Sequence, residues 1–129
     1  MRLLLDTHVF LWLHTEPERL GEHLGTVEDQ RNELLASAVI SWEMAIKSGL
    51  GRVSLPEPVE RYVPARIRDI GAVAVPIEHT HALAVVALPR LHGDPFDRLL
   101  VAQAKLLDVT LLTADPAIAE YPVQTMLLS

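Results

Sequence analysis

The sequence predicts an α/β fold, a three-layer α/β/α sandwich around a mostly parallel sheet of about five strands. Three observations carry that expectation. Short apolar runs alternate with helical patterns along the whole chain. The apolar runs are continuous rather than alternating, which suits strands covered on both faces. Acids stand where several of the runs end, and in open α/β sheets sites form outside the carboxyl ends of the strands.

Leu3-Leu4-Leu5 is the first buried strand, and Asp6 follows it at once. A helix starts near Thr7 and stops before Pro17, because the residue before a proline is pushed out of the helical region. Glu18 to Arg31 carries Leu20, Leu24 and Val27 at helical spacing and reads as one amphipathic surface helix. Asn32-Glu33 is a turn, and Leu34 to Ile40 a second buried strand. Ser41 is placed to cap a helix over Trp42–Ser48, with Gly49 to stop it.

Gly51 to Pro56 is a loop. Pro58 suits the first turn of a helix reaching about Ile70, with Gly71 as its stop, and Pro64 predicts a kink or two short helices. Ala72 to Pro76 is a third buried strand, and Thr80 to Leu88 a helix ended by Pro89. After the loop Leu91-His92-Gly93 comes the clearest helix in the chain. Asp94 is its N-cap, Pro95 its first residue and Asp97 its third, and it runs to Leu107. Val109 to Thr113 is a fourth strand ending at Ala114-Asp115. Pro116 to Glu120 is one helical turn, and Val123 to Leu127 a last, edge-like strand. There is no internal repeat or linker, so residues 1–129 read as a single domain.

Composition narrows the classes. The chain is 50% hydrophobic but only 5% aromatic, so the core is aliphatic. With no cysteine, disulfide scaffolds, thiolate metal sites and a cysteine nucleophile are excluded, and a reducing cytosol fits. No stretch resembles a signal peptide or the ~20 apolar residues of a membrane span, so a soluble, intracellular protein is expected. The net charge of −6 argues against a nucleic-acid binder, since phosphate contacts require a basic face. Acids gathered around a divalent cation reverse that local sign.

Asp6, Glu43, Asp97 and Asp115 fall at strand ends or in the first turns of the helices that follow. In a parallel sheet these share one edge, so all four carboxylates can reach one cleft. Each has an ordinary explanation too. First-turn acids offset the helix dipole, Asp115 can be a turn acid before Pro116, and Asp94 reads as a cap. The coincidence of four on one edge points to a site. Clustered carboxylates repel and call for a cation, and Mg²⁺ prefers such oxygen ligands. A metal held this way suits phosphodiester hydrolysis. The Walker lysine loop, Gly-x-Gly-x-x-Gly and Gly-x-Ser-x-Gly are all absent.

The segments Leu-Leu-Leu-Asp6-Thr7-His8, Ile40-Ser41-Trp42-Glu43, His92-Gly93-Asp94-Pro95-Phe96-Asp97-Arg98-Leu-Leu-Val-Ala-Gln103-Ala and Leu-Leu-Thr113-Ala114-Asp115 resemble the PIN domain. Within it they resemble the VapC-type toxins of bacterial toxin–antitoxin pairs. The resemblance covers nearly the whole chain, and its third segment is the most specific. It implies a Mg²⁺- or Mn²⁺-dependent endoribonuclease, with Asp6, Glu43 and Asp97 as core acids and Asp115 as the fourth. Asp6 and Asp97 would hold the metal, Glu43 would orient water or hold a second ion, and Asp115 would support the shell. Thr7 and Thr113 would hydrogen-bond the acids or the scissile phosphate, and Arg98 would reach a carboxylate or an RNA phosphate. Asp94 is an auxiliary acid as well as a cap. Position 8 is His where many relatives carry Asn or Ser. The resemblance also implies translation-related RNA (tRNA or rRNA) as target, an antitoxin partner and a homodimer. Phe10, Trp12 and Trp42 are candidates for those protein contacts.

Six histidines invite a zinc reading, but no pair has the i, i+4 spacing of His-Glu-x-x-His. Lys47, Arg52, Arg90 and Arg98 flank the cleft and form a modest RNA path, or else a solvated surface. Two other classes compete. A receiver-type signalling domain needs adjacent acids after the first strand, an Asp after the third and a late lysine. Here the third strand ends in Pro76 and Lys105 is mid-helix. A non-catalytic, partner-binding relative would be marked by a lost acid, and none is missing.

Overall fold

Leu3, Leu4 and Leu5 are each 0% exposed, which requires cover on both faces of their strand. The computed structural model describes residues 1–128 and places that strand at the centre of a five-stranded sheet. The strands are β1 (Arg2–Leu5), β2 (Glu33–Ser37), β3 (Val73–Val75), β4 (Thr110–Thr113) and β5 (Thr125–Leu127). They lie in the order β3-β2-β1-β4-β5, and every neighbouring pair is parallel. The helices are α1 (Thr7–Thr15), α2 (His23–Glu28), α3 (Ala38–Gly49), α4 (Val59–Asp69), α5 (His79–Ala84), α6 (Pro95–Leu107) and α7 (Pro116–Ala119).

Successive strand residues point to opposite faces, and two cores follow. Leu3 and Leu5 join Phe10, Ile40, Met44, Tyr62 and Val63 on the face covered by α1, α3 and α4. Leu4 joins Leu99, Leu100, Val101, Leu111 and Ile118 on the face covered by α6 and α7. The result is the expected α/β/α sandwich. From β1 the chain builds outward to β2 and β3, then returns to the other side for β4 and β5. β1 and β4 thus flank a topological switch point, where departing connections leave a crevice beyond the strand ends.

Several elements differ from the sequence reading. The second strand ends at Ser37, and α3 begins at Ala38 rather than Trp42. Ser37 is the cap: its Oγ accepts the Val39 N–H at 3.0 Å. Ser41 is exposed inside the helix, and Glu43 sits in the second turn, not the first. Apolar Ala38-Val39-Ile40 suits a buried strand and a buried helix start alike, so periodicity could not place the boundary. The helix also runs through Gly49, and the left-handed residue after it is Gly51 (φ 70°).

The expected helix over Glu18–Arg31 is two pieces, a 3₁₀ turn Pro17–Leu20 and α2, separated by Gly21 at φ 55° and ψ −130°. That conformation is open only to glycine. The helix predicted over Thr80–Leu88 is likewise α5 followed by a 3₁₀ turn, Val85–Ala87. α4 runs unbroken through Pro64, with Tyr62 and Val63 buried in the core beside it. Pro58 is its N-cap rather than part of its first turn. β3 is an edge strand with Val73 48% exposed, not a buried one. Phe10 is fully buried and so is not available to a partner, whereas Trp42, another of the candidate contacts on this part of the chain, is 43% exposed.

Candidate metal centre

Asp6 is delivered to the crevice by β1. Its backbone N–H continues the ladder to Leu112 O at 3.0 Å, and its side chain then caps α1. Oδ1 accepts from Val9 N at 2.8 Å and Oδ2 from the Thr113 hydroxyl at 2.5 Å. At 3% exposure the carboxyl is desolvated, and burial pushes its pKa up against those two hydrogen bonds. The Thr113 hydroxyl oxygen also accepts the Asp115 N–H at 3.0 Å. One threonine at the end of β4 therefore ties the two strand-end acids together.

Glu43 is 2% exposed and reaches the crevice from α3. Thr7 Oγ1 donates to its Oε1 at 2.6 Å, and Lys47, one helical turn on, binds its Oε2. Both oxygens of this acid are occupied by donors. The sequence offers Lys47 as part of an RNA path or of a solvated surface; its ammonium is the counter-charge of a buried carboxylate.

Asp97 enters from the first turn of α6. Asp94 caps that helix through Phe96 N at 2.9 Å and Asp97 N at 3.1 Å, so the cap role read for Asp94 is its observed contact. Asp97 is pushed up to about 6, first by burial, then by the charge of Asp94 and further by Glu43 and Asp6, against a hydrogen bond from His92. Asp115 caps α7 with Oδ1 on Ala117 N at 2.9 Å. Ligand atoms of His92, Asp97 and Asp115 lie within 4.8 Å of one another.

A divalent cation fits this donor set. Carboxylates held close together in partial burial raise one another's pKa, and a bound ion relieves that cost. Among the described residues no lysine or arginine pairs with Asp97 or Asp115. Glu43 alone has an internal cation.

Arg98 does not reach a carboxylate. Its guanidinium donates to Pro89 O at 2.9 Å, Val85 O at 3.3 Å and the Tyr121 hydroxyl at 3.1 Å, bracing the loop ahead of α6. His92 and Tyr121 are the site residues that sequence reasoning missed. His92 stands five positions before Asp97 in the most specific segment, on the same edge, and that placement was the available signal. Tyr121 had none, since it arrives from beyond α7 and meets His92 only in three dimensions, with Nδ1 and the phenol oxygen 2.7 Å apart. His8 is exposed and tilts against Trp12, ring centroids 6.0 Å apart.

Residues 3–124 match the family described as the PIN domain. Two ribonucleases of Mycobacterium tuberculosis (strain ATCC 25618 / H37Rv) are similar in sequence. Ribonuclease VapC16 is 39% identical over 78 residues, 60% of this chain and 52% of that protein. Ribonuclease VapC22 is 33% identical over 103 residues, 79% of this chain and 78% of that protein. The match thus spans about half the length of the first relative and most of the second. A chain of VapBC2 from Rickettsia felis, solved bound to a DNA fragment from its promoter, superposes with TM-score 0.74 at 14% identity, both chains covered in full. A chain of FitAcB from Neisseria gonorrhoeae gives TM-score 0.58 at 18% identity, covering 96% of each. At these identities the structures speak for the fold.

Proposed function

The chain belongs to the PIN-domain family, and from that premise we propose that it is a divalent-metal-dependent endoribonuclease, the toxin of a toxin–antitoxin pair. The observation that carries this reading is Asp97. Its carboxyl feels the charges of Asp94, Glu43 and Asp6 at once, and its ligand atom lies within 4.8 Å of those of His92 and Asp115. Ribonucleases VapC16 and VapC22 supply the activity class, and residues 1–129 act as one nuclease domain.

Asp6, Asp97 and Asp115, with Glu43 behind them, are the acids that would hold Mg²⁺ or Mn²⁺. The ion, when bound, activates water and neutralises charge building on the phosphoryl oxygens. The chain's own residues prepare the site. Thr113 fixes Asp6 against Asp115, so the acids are positioned before substrate arrives. Thr7 and Lys47 hold Glu43; a second ion at Glu43 would have to displace Lys47. The Lys47 side chain is about a third exposed, but its ammonium is engaged by Glu43. Translation-related RNA is the target class this reading adopts.

A free ribonuclease harms its own cell, so the reading includes an antitoxin and a cytoplasmic site of action. Among the described residues no helix is long and apolar enough to cross a membrane. Trp42 and Ile46 on α3 and Leu50 at its C-cap are exposed and apolar, at the i, i+4, i+8 spacing of a partner-binding face. These residues, rather than Phe10, support contact with an antitoxin or a second copy of the chain.

The test is direct. Purified protein is incubated with total RNA in Mg²⁺ or Mn²⁺, then with chelator, beside Asp6→Asn. Cleavage that needs the ion and is lost in the variant is expected. Equal cleavage in all arms sinks the metal-site reading, and no cleavage by folded protein favours a binding role.

A further inference from the structure

We infer that His92 is a ligand of the metal centre, and that its imidazole makes the site a mixed nitrogen–oxygen one that prefers Mn²⁺ to Mg²⁺. This rests on the metal-dependent reading above and goes beyond the four acids on which that reading depends.

The assignment follows from which donors are least engaged and which lie together. Both oxygens of Asp6 accept hydrogen bonds, from Val9 and Thr113. Both oxygens of Glu43 are occupied, by Thr7 and Lys47. Asp115 gives one oxygen to its helix cap and keeps the other. Asp97 has a single side-chain contact, with His92 Nε2 at 3.4 Å, which is long for a hydrogen bond. Each Asp6 oxygen keeps one lone pair for an ion, but the least engaged donors are Asp97, Asp115 and His92, whose ligand atoms lie within 4.8 Å of one another.

Ligation through Nε2 takes the tautomer with the proton on Nδ1, donated to the Tyr121 oxygen, in place of the one that gives its Nε2 proton to Asp97. Metal-binding histidines are oriented through the ring nitrogen that does not bind the ion. His92 Nδ1 lies 2.7 Å from the Tyr121 hydroxyl, and the rings are 5.4 Å apart. Tyr121 is buried, and its oxygen is fixed in turn by Arg98 at 3.1 Å. Arg98 is anchored on the backbone carbonyls of Pro89 and Val85. This chain of contacts aims Nε2 at Asp97 and gives Arg98 a purpose without a carboxylate. Mg²⁺ favours an all-oxygen shell, whereas first-row transition ions accept imidazole readily, and Mn²⁺ keeps the affinity for carboxylate as well.

Mn²⁺ binding to the full chain is measured by electron paramagnetic resonance, with Mg²⁺ as competitor. Pulsed measurements detect nitrogen-14 coupled to the bound ion. Wild type should bind Mn²⁺ with one coupled imidazole nitrogen. His92→Ala should lose that coupling and bind Mn²⁺ on the order of 10-fold more weakly, with Mg²⁺ affinity changed less. His92→Gln, which keeps a polar side chain against Tyr121, should also lose the coupling, and His8→Ala should retain it. Circular dichroism melts confirm that each variant is folded. Mn²⁺ bound without nitrogen coupling, or coupling that survives both His92 substitutions, overturns the assignment and leaves the four-acid reading standing. No Mn²⁺ or Mg²⁺ binding by the folded wild type overturns the metal-dependent reading itself.

Discussion

Thr113 Oγ1, at the end of β4, donates a hydrogen bond to Asp6 Oδ2, at the end of β1, across 107 positions of sequence. The same oxygen accepts the Asp115 N–H. Thr113→Val keeps the shape and removes both contacts. Asp6 would lose the hydrogen bond that most strongly favours its charged form, and the Asp115 N–H would lose its acceptor. Mg²⁺ affinity is expected to fall by about 10- to 100-fold, the usual cost of losing a group that orients a ligand. Stability should drop by about 1–3 kcal/mol from the orphaned groups. Calorimetric Mg²⁺ titration and urea unfolding check the two effects separately.

Asp97 sets the pH response of the metal-free protein. Its carboxyl is raised from 3.8 to about 6, first by burial and then by neighbouring acids. The folded protein therefore keeps a proton on Asp97 in the interval where the unfolded chain has already released it. Stability falls as pH rises through that interval and stays low above it. The penalty is on the order of 2 kcal/mol, taking about 1.4 kcal/mol per unit and discounting for partial solvent contact. In chelator, Asp97→Asn is expected to melt several degrees above wild type at pH 8 and to show little difference at pH 4. Adding Mg²⁺ should stabilise wild type and the variant much less. Equal melting at pH 8 would show that the acids do not repel as described.

The buried strands and the edge they share were legible because continuous apolar runs are costly anywhere but in a covered sheet. Leu3-Leu4-Leu5 and Leu111-Leu112 show this, and both runs lie fully buried. Asp94-Pro95-Phe96-Asp97 was legible because capping chemistry is local. What stayed hidden depends on distance or on ambiguous composition. Ala38-Val39-Ile40 suits a buried strand or a buried helix start equally. Gly21 splits a helix through a backbone angle that no side-chain pattern reports. The pairing of Tyr121 with His92 bridges 29 positions, and the anchoring of Arg98 on two backbone carbonyls leaves no mark in the sequence.

The cap of α3 offers a comparison between two serines. Ser37 accepts from Val39 N and donates to Gln103 Oε1 at 2.5 Å, where both side chains are buried. Gln103 continues to Pro76 O at 3.2 Å, so the contact links α3, α6 and the segment after β3. Ser37→Ala removes the cap, worth about 1 kcal/mol, and leaves a buried amide oxygen unpaired, for a total of about 2–3 kcal/mol. Ser41 is exposed within the same helix, and Ser41→Ala should change stability by less than about 0.5 kcal/mol. Chemical denaturation of the two variants separates them, and a larger loss at Ser41 would contradict the observed helix start.

Burial decides the worth of two ion pairs that look alike. Lys47 binds Glu43, whose side chain is 3% exposed, and Arg31 binds Asp29 with its own side chain 90% exposed. Removing Lys47 leaves a buried carboxylate with only Thr7 as donor. Lys47→Met should therefore cost about 3 kcal/mol or more, the price of an uncompensated buried charge. The loss comes from the stranded charge rather than from the missing bond. Glu43→Gln combined with Lys47→Met should therefore recover much of it. Arg31→Met should leave stability within the scatter of the measurement, because solvent screens that pair. A double-mutant cycle on Glu43 and Lys47, followed by urea unfolding, supplies the coupling energy. A cycle that closes near zero would mean Lys47 is not the counter-charge of Glu43, and would leave Glu43 open to hold an ion.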